Sequence, residues 1–143
     1  MKNILIALDF DKTDFLIKKT IELLDCESAK IWLLHAAAPD PDFVGYEVGP
    51  QYVRDLRAEE LREEHKTLLD RANEIKKGGI DAEGLLIQGA TVETILAESE
   101  KLEVDVIVID HGDHSFLYNL IFGETSVQVV KDTKIPVMVV PLN

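Results

Sequence analysis

The chain has 143 residues, 46% of them hydrophobic, which suits one domain with a real core and argues against disorder. Its 15 basic and 27 acidic side chains give a formal net charge of −12, so the chain repels the phosphate backbone on which nonspecific nucleic-acid affinity rests, and anionic membranes likewise. The single cysteine, Cys26, has no intrachain partner and excludes a disulfide framework, which fits a reducing compartment. The opening apolar run is too short for a signal h-region, and no run of eighteen apolar residues occurs. The expectation is a soluble, cytoplasmic protein that binds neither nucleic acid nor membrane.

Ile4 to Leu8 is an apolar run with polar flanks, the pattern of a parallel strand covered on both faces. Phe15, Leu16, Thr20, Leu23 and Leu24 then fall at helical spacing, with Thr13 or Asp14 available as the cap. Ile31 to Ala36 reads as the second strand, and Ala37 to Pro50, with its prolines and glycines, as a loop. Between Gln51 and Lys77, the residues Val53, Leu56, Leu61, Leu68, Leu69, Ala72 and Ile75 form an apolar stripe opposite a charged face, and Gly78-Gly79 supplies the stop. Ile80 to Ile87 is a third, more amphipathic strand suited to an edge, and Thr91 to Leu102 a helix capped by Thr91. Val104 to Ile109 is the fourth strand, Tyr118 to Lys131 the last helix, and Val137 to Val140 the final strand between Pro136 and Pro141.

Strands alternating with helices of this length imply right-handed crossovers and a parallel sheet. The expected fold is a doubly wound five-stranded α/β domain of flavodoxin/Rossmann-like type, strand order 3-2-1-4-5, as a single domain over residues 1–143. In such sheets ligands bind beyond the carboxyl ends of the strands at the switch point, here between the first and fourth strands. The loop after the fourth strand carries Asp110, His111, Asp113 and His114, all metal-ligand types, although residues packed so closely can supply at most two or three ligands to one ion. A solvated polar loop explains the same residues without a metal. His35, in an apolar run, reads as a satisfied structural histidine, Trp32 as core, and His65 as exposed.

Asp9-Phe-Asp11-Lys-Thr13 after an apolar strand matches the D-x-D-x-[TV] pattern of haloacid dehalogenase-like phosphatases, in which the first Asp would form an aspartyl-phosphate beside magnesium. Against this, the chain is short for that fold, the helix begins straight after Thr13, and no lysine motif is evident. Helix capping by Asp11 and Thr13 is the plainer reading.

Asp9 ending the first strand, Leu-Leu-His35-Ala36 ending the second, Gly89 before a helix with Ile95 and Ala97, Asp105-Val-Ile-Val-Ile, and the closing Ile135-Pro-Val-Met-Val-Val-Pro together resemble the universal stress protein family over nearly the whole chain. Many members bind ATP or AMP through a loop of the form G-x2-G-x9-G-[ST], in which glycines let backbone N–H groups reach phosphate oxygens. Laid on this chain without gaps, the pattern reads Asp110-x2-Asp113-x9-Gly123-Glu124, so one glycine survives and the hydroxyl becomes a carboxylate. A carboxylate ~4 Å from a phosphate charge costs roughly 4 kcal/mol at an effective dielectric near 20, before salt and movement relieve it.

The resemblance therefore implies a homodimeric binding or regulatory module in stress response, not an enzyme, with an adenine-nucleotide pocket in which ATP binding is weak or lost. Asp9, Ala36 and Ile109 stand at positions resembling the family's adenosine contacts. Gly112, Gly123 and Ser126 complete the candidate contacts, while Asp110, Asp113 and Glu124 restrict phosphate. A bound magnesium ion could offset these carboxylates and make ATP or AMP binding metal-dependent. The family dimerises through its last strand, which here implies pairing of Val137, Met138, Val139 and Val140 across a two-fold axis.

Overall fold

The computed structural model describes residues 1–8, 10, 12–37, 51–89, 91–111 and 133–141; the side chains of residues 51–55, 91 and 111 are not considered. The elements run β1 (Asn3–Ala7), α1 (Thr13–Leu23), β2 (Lys30–Ala37), α2 (Gln51–Lys77), β3 (Asp81–Gln88), α3 (Thr91–Lys101), β4 (Val106–His111) and β5 (Val137–Pro141). The five strands form one sheet in the order β3-β2-β1-β4-β5. Every pairing is parallel. The expected last helix, Tyr118 to Lys131, lies outside the described residues.

The central strands β1 and β4 are apolar on both faces because helices cover both, whereas the edge strands β3 and β5 keep exposed positions. On one face Ile4, Ile6 and Leu8 of the β1 segment, Ile31 and Leu33 of β2, and Val106 and Val108 of β4 pack against Leu16 and Ile17 of α1 and Leu68, Ala72 and Ile75 of α2. On the other, Leu5, Ala7, Leu34, Ile107 and Ile109 pack against Val92 and Ile95 of α3. The strand period of two sorts alternate residues between these cores.

The helices bury narrower stripes than their apolar residues suggest. In α1 the buried line is Thr13, Leu16, Ile17 and Thr20, whereas Phe15 and Leu23 are 39% and 64% exposed. In α2, Leu68, Ala72 and Ile75 face the sheet, whereas Leu56 and Leu69 are exposed. Leu69 is one residue, about 100°, around the helix from Leu68, and Leu56 lies roughly 18 Å along the axis from it. The start of α1 also differs from expectation. Its N-cap is Lys12, in the left-handed region at φ 49°, with no side-chain cap. Thr13 is already helical and buried, and its Oγ1 has no hydrogen-bond partner. α2 stops as expected: Gly79 takes φ 93°, which an L side chain resists.

Two residues outside the cores tie the layers together. Gly84 on β3 lies against α2 so closely that a Cβ there would stand 2.9 Å from Leu68 Cβ and 3.0 Å from the Leu68 carbonyl carbon and oxygen. Asp105, just before β4, accepts hydrogen bonds from the backbone N–H of Lys2 at 2.7 Å and of Asn3 at 2.9 Å, fastening the start of β1 to that of β4. These bonds, that of Asn3 first, hold its carboxyl below the usual aspartate range.

Gly84→Ala should destabilise the fold by about 1–3 kcal/mol through overpacking against the α2 backbone, measured by urea unfolding; unchanged stability would contradict this close approach. Asp105→Asn should also destabilise, with a pH signature. Because the folded carboxyl is depressed, its contribution is present above the unfolded-state pKa and is lost as pH falls through the folded-state value. The stability gap between the two proteins should therefore be constant near neutrality and close in acid.

Candidate functional site

β1 is hydrogen-bonded to β2 on one side and to β4 on the other. The crossovers from β1 to β3 travel one way and the return to β4 the other, so the topological switch point, where such sheets bind ligands, lies between the carboxyl ends of β1 and β4. Of the sequence-predicted contacts, Ala36 of β2 and Ile109 of β4 are both buried. Ile109 belongs to the α3-side core, and Ala36 shares the parity of Leu34 in that same core. They lie on one face on either side of the β1 segment, offset by two residues in register, on the order of 12 Å apart.

Asp110 follows Ile109 and is only 2% exposed. Strand alternation places it with Val106 and Val108 on the α1/α2 side, in register with Val140 of that core. Ala36 and Ile109 thus share one face of the sheet with β1 between them, and Asp110 is turned to the opposite face. Asp9, Gly112, Asp113, Gly123, Glu124 and Ser126 lie outside the described residues, as do Asp11 and His114. Among the described residues, no group of three or more His, Cys, Asp or Glu is placed to hold a metal ion.

The sequence reading gave His35 no part in this region, yet it stands beside the exit from β1. Its Nδ1 is 2.7 Å from the Leu8 carbonyl oxygen, which lies in the residue preceding Asp9. Its ring lies 4.4 Å from that of Phe10, centre to centre and tilted by 44°. Its Nε2 is 3.7 Å from Oε2 of Glu64 on α2, at ion-pair distance, and that oxygen is buried without a hydrogen bond. The available signal was a polar residue at the carboxyl end of an otherwise apolar strand.

On the α1/α2 side a groove of about 600 Å³ is lined by Phe10, Phe15, Glu63, Glu64 and Arg71 among others. Arg71 reaches across to Asp14 at 3.1 Å, although its Nε has no hydrogen bond. This groove opens behind the sheet, on the face away from Ala36 and Ile109. A second depression follows the charged outer surface of α2 from Thr67 to Lys77 and does not reach the strand ends.

The sequence profile of the universal stress protein family matches residues 1–141. Among solved structures, the hypothetical protein MJ0577 superposes with a TM-score of 0.76 at 22% identity, covering 99% of this chain and 96% of that one. A universal stress protein family protein from Arabidopsis thaliana with AMP bound gives a TM-score of 0.63 at 18% identity, over 100% and 93%. A universal stress protein in complex with cAMP gives 0.60 at 16%, over 97% and 95%. At these identities the likenesses establish the fold. No curated protein matches the chain significantly.

Ala36→Leu should test the packing on this face. Ala36 is buried, so three added heavy atoms should cost about 1–3 kcal/mol of stability in a urea melt. A neutral result would indicate open space there.

Proposed function

The chain belongs to the universal stress protein family, and from that premise we propose that it is a binding or regulatory module of stress response that takes an adenine nucleotide in the crevice between β1 and β4. The observation that carries this reading is the apolar pair Ala36 and Ile109 flanking the end of β1 at the topological switch point. AMP and cAMP are the ligands of two family structures with this fold. The proposed contacts are Asp9, Ala36, Ile109, Gly112, Gly123 and Ser126.

ATP is the disfavoured ligand. Asp110, Asp113 and Glu124 replace two glycines and a hydroxyl of the family's phosphate loop. Even half of the ~4 kcal/mol repulsion between a phosphate and a carboxylate ~4 Å away weakens binding more than tenfold. Asp110 contributes by charge at a distance, which makes Asp113 and Glu124 the better targets for test. A divalent cation such as magnesium, held by these carboxylates, would offset the repulsion.

The phosphatase reading of Asp9-Phe-Asp11-Lys-Thr13 is the weaker one, because α1 starts at Thr13 and leaves no segment there for a substrate-covering flap. The proposal is therefore of a non-enzymatic module. The buried Cys26, whose thiol is pushed up by burial and then by Asp25, is compatible with a reducing cytoplasm. No helix among the described residues is long and apolar enough to cross a membrane.

The proposal includes a homodimer joined at β5. That strand is a sheet edge, and Val137 and Val139 on it are 39% and 40% exposed while Val140 is buried.

The double variant Asp113→Gly, Glu124→Ser should bind ATP at least about tenfold more tightly than the parent by calorimetry without magnesium; unchanged affinity would refute the charge argument. Val139→Lys should convert the dimer to monomer in sedimentation equilibrium, and a monomeric parent protein would refute the β5 interface.

A further inference from the structure

His35 holds both neighbours of residue 9. A carbonyl oxygen only accepts, so the 2.7 Å approach of His35 Nδ1 to the Leu8 carbonyl requires a proton on Nδ1, and the imidazole N–H donates. On the far side of residue 9, the Phe10 ring stacks against the same imidazole. Phe10 has φ 69° and Lys12 φ 49°. Left-handed backbone is uncommon for non-glycine residues, most of all for bulky ones, and persists only where the surroundings over-determine it. Those surroundings include the imidazole, on whose other side Glu64 of α2 presents Oε2 to Nε2 at 3.7 Å. The β1 exit, β2 and α2 thus meet at the imidazole, which contacts Leu8 and Phe10.

We propose that His35 is a positioning residue that fixes the backbone leaving β1, by gripping Leu8 through Nδ1–H and Phe10 through its ring. Glu64 is the outer wall that keeps the imidazole in place. This rests on the reading of the β1/β4 crevice as the nucleotide site. His35 itself faces the α1/α2 side with Ile31 and Leu33, away from Ala36 and Ile109, so it acts through the backbone and does not touch the ligand.

The test pairs a spectrum of the ligand-free protein with AMP affinity by calorimetry. In the ring 15N spectrum of the wild-type protein, Nδ1 of His35 carries a proton; a bare Nδ1 overturns the proposal. His35→Leu, which removes the donor, weakens AMP binding by about tenfold, the scale of one lost hydrogen bond. His35→Asn, which keeps an N–H near the place of Nδ1, recovers most of that loss, as a merely space-filling role would not. Equal AMP affinity in wild type and His35→Leu overturns the proposal. Should His35→Leu fail to fold, Phe10→Leu, which removes the ring contact alone, weakens AMP binding several-fold or the proposal falls. Wild-type protein that binds no AMP refutes the nucleotide reading, and the ring spectrum then decides the grip on Leu8 by itself.

Discussion

β1 is hydrogen-bonded along both edges, and the arrangement of the site depends on that. Ile4, Leu5 and Ile6 are fully buried because α1 and α2 cover one face of the sheet and α3 the other, and with the strand order this puts the topological switch point between β1 and β4. Asp105 secures the opposite end of the same strand by receiving the N–H groups of Lys2 and Asn3. The family motif beginning at Asp105 therefore has a structural reason at its first residue.

Alternation along the strands gives the crevice its chemical character. Ile109 and Asp110 are adjacent in sequence, yet one joins the α3-side core and the other turns toward α1 and α2. A buried apolar side chain and a buried carboxylate thus come from consecutive residues on different faces of the sheet.

The strands and their order were legible because each is a short apolar run punctuated by polar residues, and because βα alternation restricts the topology. Boundaries moved by one or two residues: β3 begins at Asp81 and β4 at Val106, since the ladder and not the apolar run defines the strand. The helix stripes were read too broadly, because Phe15, Leu56 and Leu69 are apolar at positions that tertiary packing leaves exposed. The cap of α1 was misread because the turn after β1 adopts left-handed conformations at Phe10 and Lys12, which residue types of this kind do not announce. His35 was visible as a polar residue in an apolar strand, but its partners, Leu8, Phe10 and Glu64, come from three separate segments. No local pattern could have assembled them. In the candidate site, strand alternation puts Ala36 and Ile109 on the α3 side and Asp110 on the other, which only the helices packed on each face could reveal.

The central claim is that this family member keeps a nucleoside crevice while its carboxylates oppose the phosphate chain. The most direct measurement is calorimetric titration of the protein with AMP and with ATP, each with and without magnesium. The account predicts detectable AMP binding and ATP binding weaker by about tenfold or more without magnesium, with magnesium narrowing the gap. ATP binding as tight as that of AMP in the absence of magnesium would contradict it.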